Sequence, residues 1–175
     1  MKKPTLLPVL ALFAILLLSC STDSEDSNSN SNDNATTNTS SNTNTGYTVP
    51  TTKTIEIEIL ELINNHRISA GLNSLQSMSA IKGQAYSHTD YMIDQNNISH
   101  DFFGNRRSYL VNNVSAVSVA ENVAYGYSSA EAVVVAWLNS PSHREAIEAD
   151  FTHFDISAEK NTEGQWYFTN IFVKR

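Results

Sequence analysis

The pattern of apolar and polar positions divides the chain into three stretches. Lys2 and Lys3 precede a continuous apolar run over residues 6–18, too short to span a bilayer comfortably and flanked like a secretory signal. Residues 21–48 are almost entirely Ser, Asn, Thr and Asp, a composition that builds no core. From about Pro50 periodicity begins. Ile55, Ile59, Leu62 and Ile63 fall on one helix face, which predicts a helix from near Thr52 to Ala70, stopped by Gly71-Leu72. Ile81, Ala85, His88 and Met92 predict a second helix whose buried stripe includes His88. Ser128 and Glu131 read as a capping box for a third helix carrying Val133, Val134, Ala136 and Trp137 and ending near Asn139. Ser140-Pro141 then reads as an N-cap followed by proline in the first turn, opening a short helix through Ala149 with His143 near its start.

The remaining segments alternate as strands do. Residues 120–127, 154–160 and 165–174 are predicted strands, the last two joined by a turn at Asn161-Thr162-Glu163-Gly164. Helices before and between strands, with a terminal hairpin, predict an α+β fold with an antiparallel sheet.

Composition adds compartment and partner class. The chain has 175 residues, one cysteine and a formal charge of −7, enough for one ordinary domain. Loss of a signal carrying Lys2 and Lys3 makes it more acidic still, which argues against a nucleic-acid partner. Leu17-Leu18-Ser19-Cys20 resembles the lipobox of bacterial lipoproteins, and that resemblance implies cleavage before Cys20 and acylation of its thiol. Buried acyl chains, each methylene contributing about 0.8 kcal/mol, would then hold the protein on a membrane without a spanning helix. The expected organisation is a signal over residues 1–19, an anchor and tether over 20–49 and a folded domain over 50–175. A flexible tether of that length has a root-mean-square reach of about 30 Å.

Four segments occur in a telling order: NNHRISAGLNSL from Asn64, Ser99-His100, Ala120-Glu121-Asn122-Val123-Ala124, and WLNSPSHR from Trp137. With Ala85-x-x-His88-x-x-x-Met92, they resemble the CAP superfamily of SCP-like proteins, in its short bacterial branch. The resemblance implies an α-β-α sandwich and a cleft lined by histidines and acids. By motif position these are His100, Glu121 and His143, with Ser140 standing where a second acid is found in longer relatives. Ala120 and Asp155 also depart from the pattern, each standing where glycine is usual; the second departure places the strand geometry beside the cleft at issue.

Two imidazoles and a carboxylate are a plausible set for zinc or another divalent cation, so His100, His143 and Glu121 are candidate metal ligands. Glu121 has a competing role as the acceptor that orients a histidine. Ser140 as nucleophile with His143 as base, or a hydrolytic zinc site with Glu121 as general base, are the enzymatic alternatives. The binding alternative is capture of a small ligand, a lipid or a surface protein by an anchored domain at the cell envelope. Phe102, Phe103, Tyr109, Tyr125 and Tyr127 flank the cleft segments and can line a groove or fill a core. His66 and His153 are expected to be structural, and Arg106, Arg107 and Arg144 to be solvated or paired with nearby acids.

Overall fold

A computed structural model of the chain describes residues 49–175; the signal segment, Cys20 and the polar tether lie outside the described residues. The elements run α1 (Thr54–Ser69), β1 (Gln76–Ser77), α2 (Ser79–Asp94), α3 (Phe103–Val114), β2 (Ser118–Tyr125), α4 (Ala130–Asn139), α5 (Pro141–Glu148), β3 (His153–Lys160) and β4 (Trp166–Lys174). The strands form one sheet in the order β1-β3-β4-β2. β4 is antiparallel to both β2 and β3, but the two-residue β1 runs parallel to β3, so the sheet is mixed rather than purely antiparallel.

Both faces of the sheet are covered, which gives the α-β-α layering. Phe154, Ile156, Phe168 and Phe172 pack with Ile59 and Ile63 of α1, Trp137 of α4 and Ile147 of α5. On the other face Ile171 and Val173 pack with Ile81 and Ala85 of α2 and Leu110 of α3. Alternate residues of β4 therefore enter opposite cores, and the strand is buried almost end to end.

The α1 stop is built as expected. Gly71 adopts φ +76° and Leu72 N–H returns to the Arg67 carbonyl at 2.8 Å. The buried stripe of α1 differs from the apolar pattern: Ile59 and Ile63 are buried, Ile55 and Leu62 only partly, and Glu56 and Arg67 occupy the core instead. Glu56 is satisfied there by the Lys82 ammonium at 2.6 Å and by the Ala158 and Lys53 backbone N–H groups at 2.8 and 2.7 Å. In α2 the predicted stripe is buried at all four positions.

One local expectation is corrected, one helix is added and one question about strand geometry is answered. α4 is capped by Ser129, whose hydroxyl accepts the Ala132 N–H at 3.2 Å, so the Ser128–Glu131 box does not form. α3 has no counterpart in the apolar pattern, because it buries only Arg106 and Leu110 and begins at Phe102 instead of a capping serine, threonine or aspartate. Asp155 leaves β3 regular: its carboxylate accepts the Ile156 N–H at 2.9 Å and the Met78 N–H at 3.2 Å, tying the strand to the start of α2.

Candidate functional site

Glu121 sits in the middle of β2, opposite Ile171 of β4, so its side chain enters the layer occupied by α2 and α3. Its side chain is 1% exposed and is held on several sides. Arg106 of α3 binds it bidentately, Nε to Oε2 and Nη2 to Oε1, both at 2.7 Å. The remaining Arg106 nitrogen donates to the Asp101 carbonyl at 2.6 Å. His100 donates from Nδ1 to Oε1 at 2.8 Å, and His88 Nε2 lies 3.9 Å away. Burial pushes the Glu121 carboxyl up, but the bonds from His100 and Arg106 outweigh it and hold its pKa below the usual glutamate value. Glu121 is therefore a fixed anion that orients His100, the competing role anticipated for it.

His88 satisfies the core reading of its stripe. It is 2% exposed, its Nε2–H donates to the Ser99 carbonyl at 2.7 Å and its ring stacks on Tyr91 at 5.9 Å. Burial lowers its pKa, partly opposed by Glu121, so the ring is neutral. By holding Ser99 it also fixes the residue preceding His100.

His143 comes from the first turn of α5. Its Nδ1 lies 2.7 Å from the Ser140 hydroxyl, and its carbonyl accepts from Asn122 Nδ2 at 3.0 Å, linking α5 to β2. Ser140 is the N-cap by position, yet its hydroxyl bonds the imidazole and makes no cap bond to the backbone. Burial, then the neighbouring His100, lower the His143 pKa, leaving a neutral ring.

His100, Glu121 and His143 meet in one cavity of about 340 Å³. Ala120, Ala146, Ala149 and Phe151 add apolar groups to its lining, and Asn122, Ser142 and Glu145 add polar ones. Ser140 is not in the lining and reaches the cavity only through His143. Glu145 is the acidic residue that sequence reasoning missed; its placement two residues beyond His143 was the available signal. Arg106 is the other functional side chain not singled out, although pairing with an acid was anticipated.

The three-ligand metal set does not assemble. Among the described residues no group of three or more histidine, cysteine, aspartate or glutamate side chains is placed to hold a metal ion. Glu121 already has a guanidinium on both oxygens, and a cation bound there would face that charge at close range. The same clamp and lowered pKa make Glu121 a poor general base. The Ser140–His143 contact lacks a hydrogen-bonded carboxylate on the second imidazole nitrogen among the described residues. His66 is paired with Glu148 at 2.8 Å and His153 with Thr152 at 2.9 Å, both structural as expected. Arg144 is half-exposed and lies 3.3 Å from Glu148.

Comparison with known proteins places the fold and the family. The model of the cysteine-rich secretory protein (CAP) family matches residues 60–172. Two Bacillus subtilis (strain 168) proteins are each 32% identical: the uncharacterized membrane protein YlbC, over 70% of this chain and 35% of its own length, and the uncharacterized protein YkwD, over 58% and 41%. The chain thus spans well under half the length of these curated relatives. Among solved structures, an outer surface protein from Borrelia burgdorferi superposes with TM-score 0.65 at 26% identity, covering 74% of this chain and 98% of its own. An SCP-domain extracellular protein from Bacillus anthracis superposes with TM-score 0.59 at 25% identity, covering 69% and 40%. On the family match and the shared fold, the chain belongs to the cysteine-rich secretory protein, or CAP, family and is a CAP-domain protein of bacterial type.

Proposed function

We propose that this is an exported binding protein, held at the cell envelope by lipid on Cys20, whose CAP domain receives a small amphipathic ligand between His100 and His143. The observation that carries the reading is the mixed lining of the cavity. Each imidazole has its Nδ1 engaged by a protein oxygen, while its Nε2 has no protein partner among the described residues. The same lining includes three alanines and Phe151. A ligand with a polar head and an apolar body fits such a site, its head exchanging hydrogen bonds with the two Nε2 atoms. Glu121 contributes by holding His100 Nδ1, which turns the Nε2 edge of the ring toward the ligand. No catalytic step is part of this reading.

The envelope location is supported by the surface and extracellular descriptions of the two structural relatives. No helix among the described residues is long and apolar enough to cross a membrane. The test is ligand-observed NMR of the full chain against a set of amphipathic fragments. Fragments that bind wild type and are lost in both His100→Ala and His143→Ala, with melting temperatures maintained, support the site. A set with no binder, or binders indifferent to both substitutions, defeats it. Mass spectrometry of the natural N-terminus tests acylation of Cys20 separately.

A further inference from the structure

A second hollow lies on the far side of the Arg106–Glu121 pair. It has a volume of about 380 Å³ and shares no lining residue with the histidine cavity, though Arg106 in its wall grips Glu121 in the wall of the other. Tyr91, Phe102 and Tyr109 frame it, and Gln84 and Asn105 supply carboxamides. We propose that this hollow is a binding site for a neutral saccharide, with a sugar ring laid against the aromatic frame and its hydroxyls paired with Gln84 and Asn105.

The first argument is the placement of Phe102. Its backbone is left-handed, φ +57°, a conformation costing a bulky L residue about 1–2 kcal/mol. Its side chain is nevertheless 62% exposed, so burial returns little of that cost. The ring meets Tyr91 edge to face at 5.3 Å, and the Tyr91 hydroxyl is fixed by Asp101 at 3.0 Å. Strain spent on an outward-facing, braced aromatic is the mark of a contact surface rather than of a core.

The second argument is charge. Arg106 is the one permanent cation in the lining, and all its nitrogens that reach a partner are spent on Glu121 and the Asp101 carbonyl. His88 is neutral and donates to Ser99. Among the described residues no carboxylate lines the hollow. Anionic and cationic ligands therefore find no free counter-charge. What remains is aromatic surface, whose negative faces attract C–H groups, beside carboxamides that each offer donor and acceptor together. A ring with C–H faces and hydroxyl edges complements both. A polyproline segment also docks on aromatic grooves, but it offers only acceptors and would leave the carboxamide oxygens buried without donors.

The experiment uses the full chain and saturation-transfer NMR with cellotriose, maltotriose and chitotriose as probes. At least one is expected to bind saturably, about tenfold more weakly to Phe102→Ala and with affinity retained in Phe102→Trp. Phe102 is exposed, and an unchanged melting temperature will show that the variants are folded. Loss of binding in Phe102→Ala with retention in His143→Ala supports the proposal and leaves the cleft reading to its own test. Loss in His143→Ala with retention in Phe102→Ala places the sugar in the histidine cavity and overturns the proposal while sparing the cleft. Absence of binding by all three probes, or decaproline binding in their place, overturns it as well.

Discussion

Arg106 and Glu121 form a two-pronged ion pair between α3 and the middle of β2, with both contacts at 2.7 Å and both side chains almost wholly withdrawn from water. This contact turns the acidic residue of the cleft motif from a metal ligand or base into a support for His100.

Removing the cation should therefore expose the cost of a buried, uncompensated charge. Arg106→Met is expected to destabilise the domain by about 3–5 kcal/mol, and adding Glu121→Gln should restore much of that loss. Urea titrations of the two single variants and the double variant measure the coupling; additive effects would contradict the pairing.

A similar test applies to Glu56 and Lys82, which are 0% and 2% exposed and join α1 to α2. Lys82→Met alone leaves the buried Glu56 carboxylate with two backbone N–H groups and the half-exposed Lys53 ammonium at 3.9 Å, and should cost several kcal/mol. The double variant Glu56→Gln/Lys82→Met should lose less than Lys82→Met alone, because the stranded charge is gone. Chemical denaturation at neutral pH is the readout.

Asp155 sets a pH dependence of unusual sign. Burial pushes its pKa from 3.8 to about 6, against two backbone hydrogen bonds and Lys82, with Glu56 nearby adding to the rise. Between those values the folded state holds a proton that the unfolded state has released, so stability falls as pH rises from about 4 to about 6. The shift corresponds to about 3 kcal/mol at full ionisation. Glu121 acts oppositely: its depressed pKa contributes stability above its unfolded value that is lost as pH falls through the folded one. The Asp155 contribution is isolated by subtracting the stability–pH curve of Asp155→Asn from that of wild type. A flat difference between pH 4 and 6 would refute it.

Gly71 should be sensitive through its backbone alone. No atom comes within 4 Å of a Cβ built there, yet φ is +76°. Gly71→Ala is expected to cost about 1 kcal/mol with no change in packing, read as a lowered melting temperature.

Much of the scaffold was legible in local pattern. The α1 stop, the four-residue stripe of α2, the end of α4 and the turn at Asn161–Gly164 follow from residue type and spacing, because each is decided within a few neighbours. α3 was not legible, since a helix burying one arginine and one leucine has almost no apolar period. β1 was equally hidden: two exposed residues become a strand only when β3 lies beside them.

The cleft divides along the same line. His100, Glu121 and His143 are drawn together as the motif order implied, but motif order carries no information about what else reaches them. Residue order by itself determined helices α1, α2, α4 and α5, the three longer strands and the αL stop at Gly71, all of which depend on short-range periodicity and steric rules. Tertiary structure alone decided that Arg106 closes on Glu121, that His100 and His143 share one cavity, and that Asp155 is buried. These outcomes depend on distance and desolvation between segments far apart in the chain, and both quantities come into being only when the layers pack.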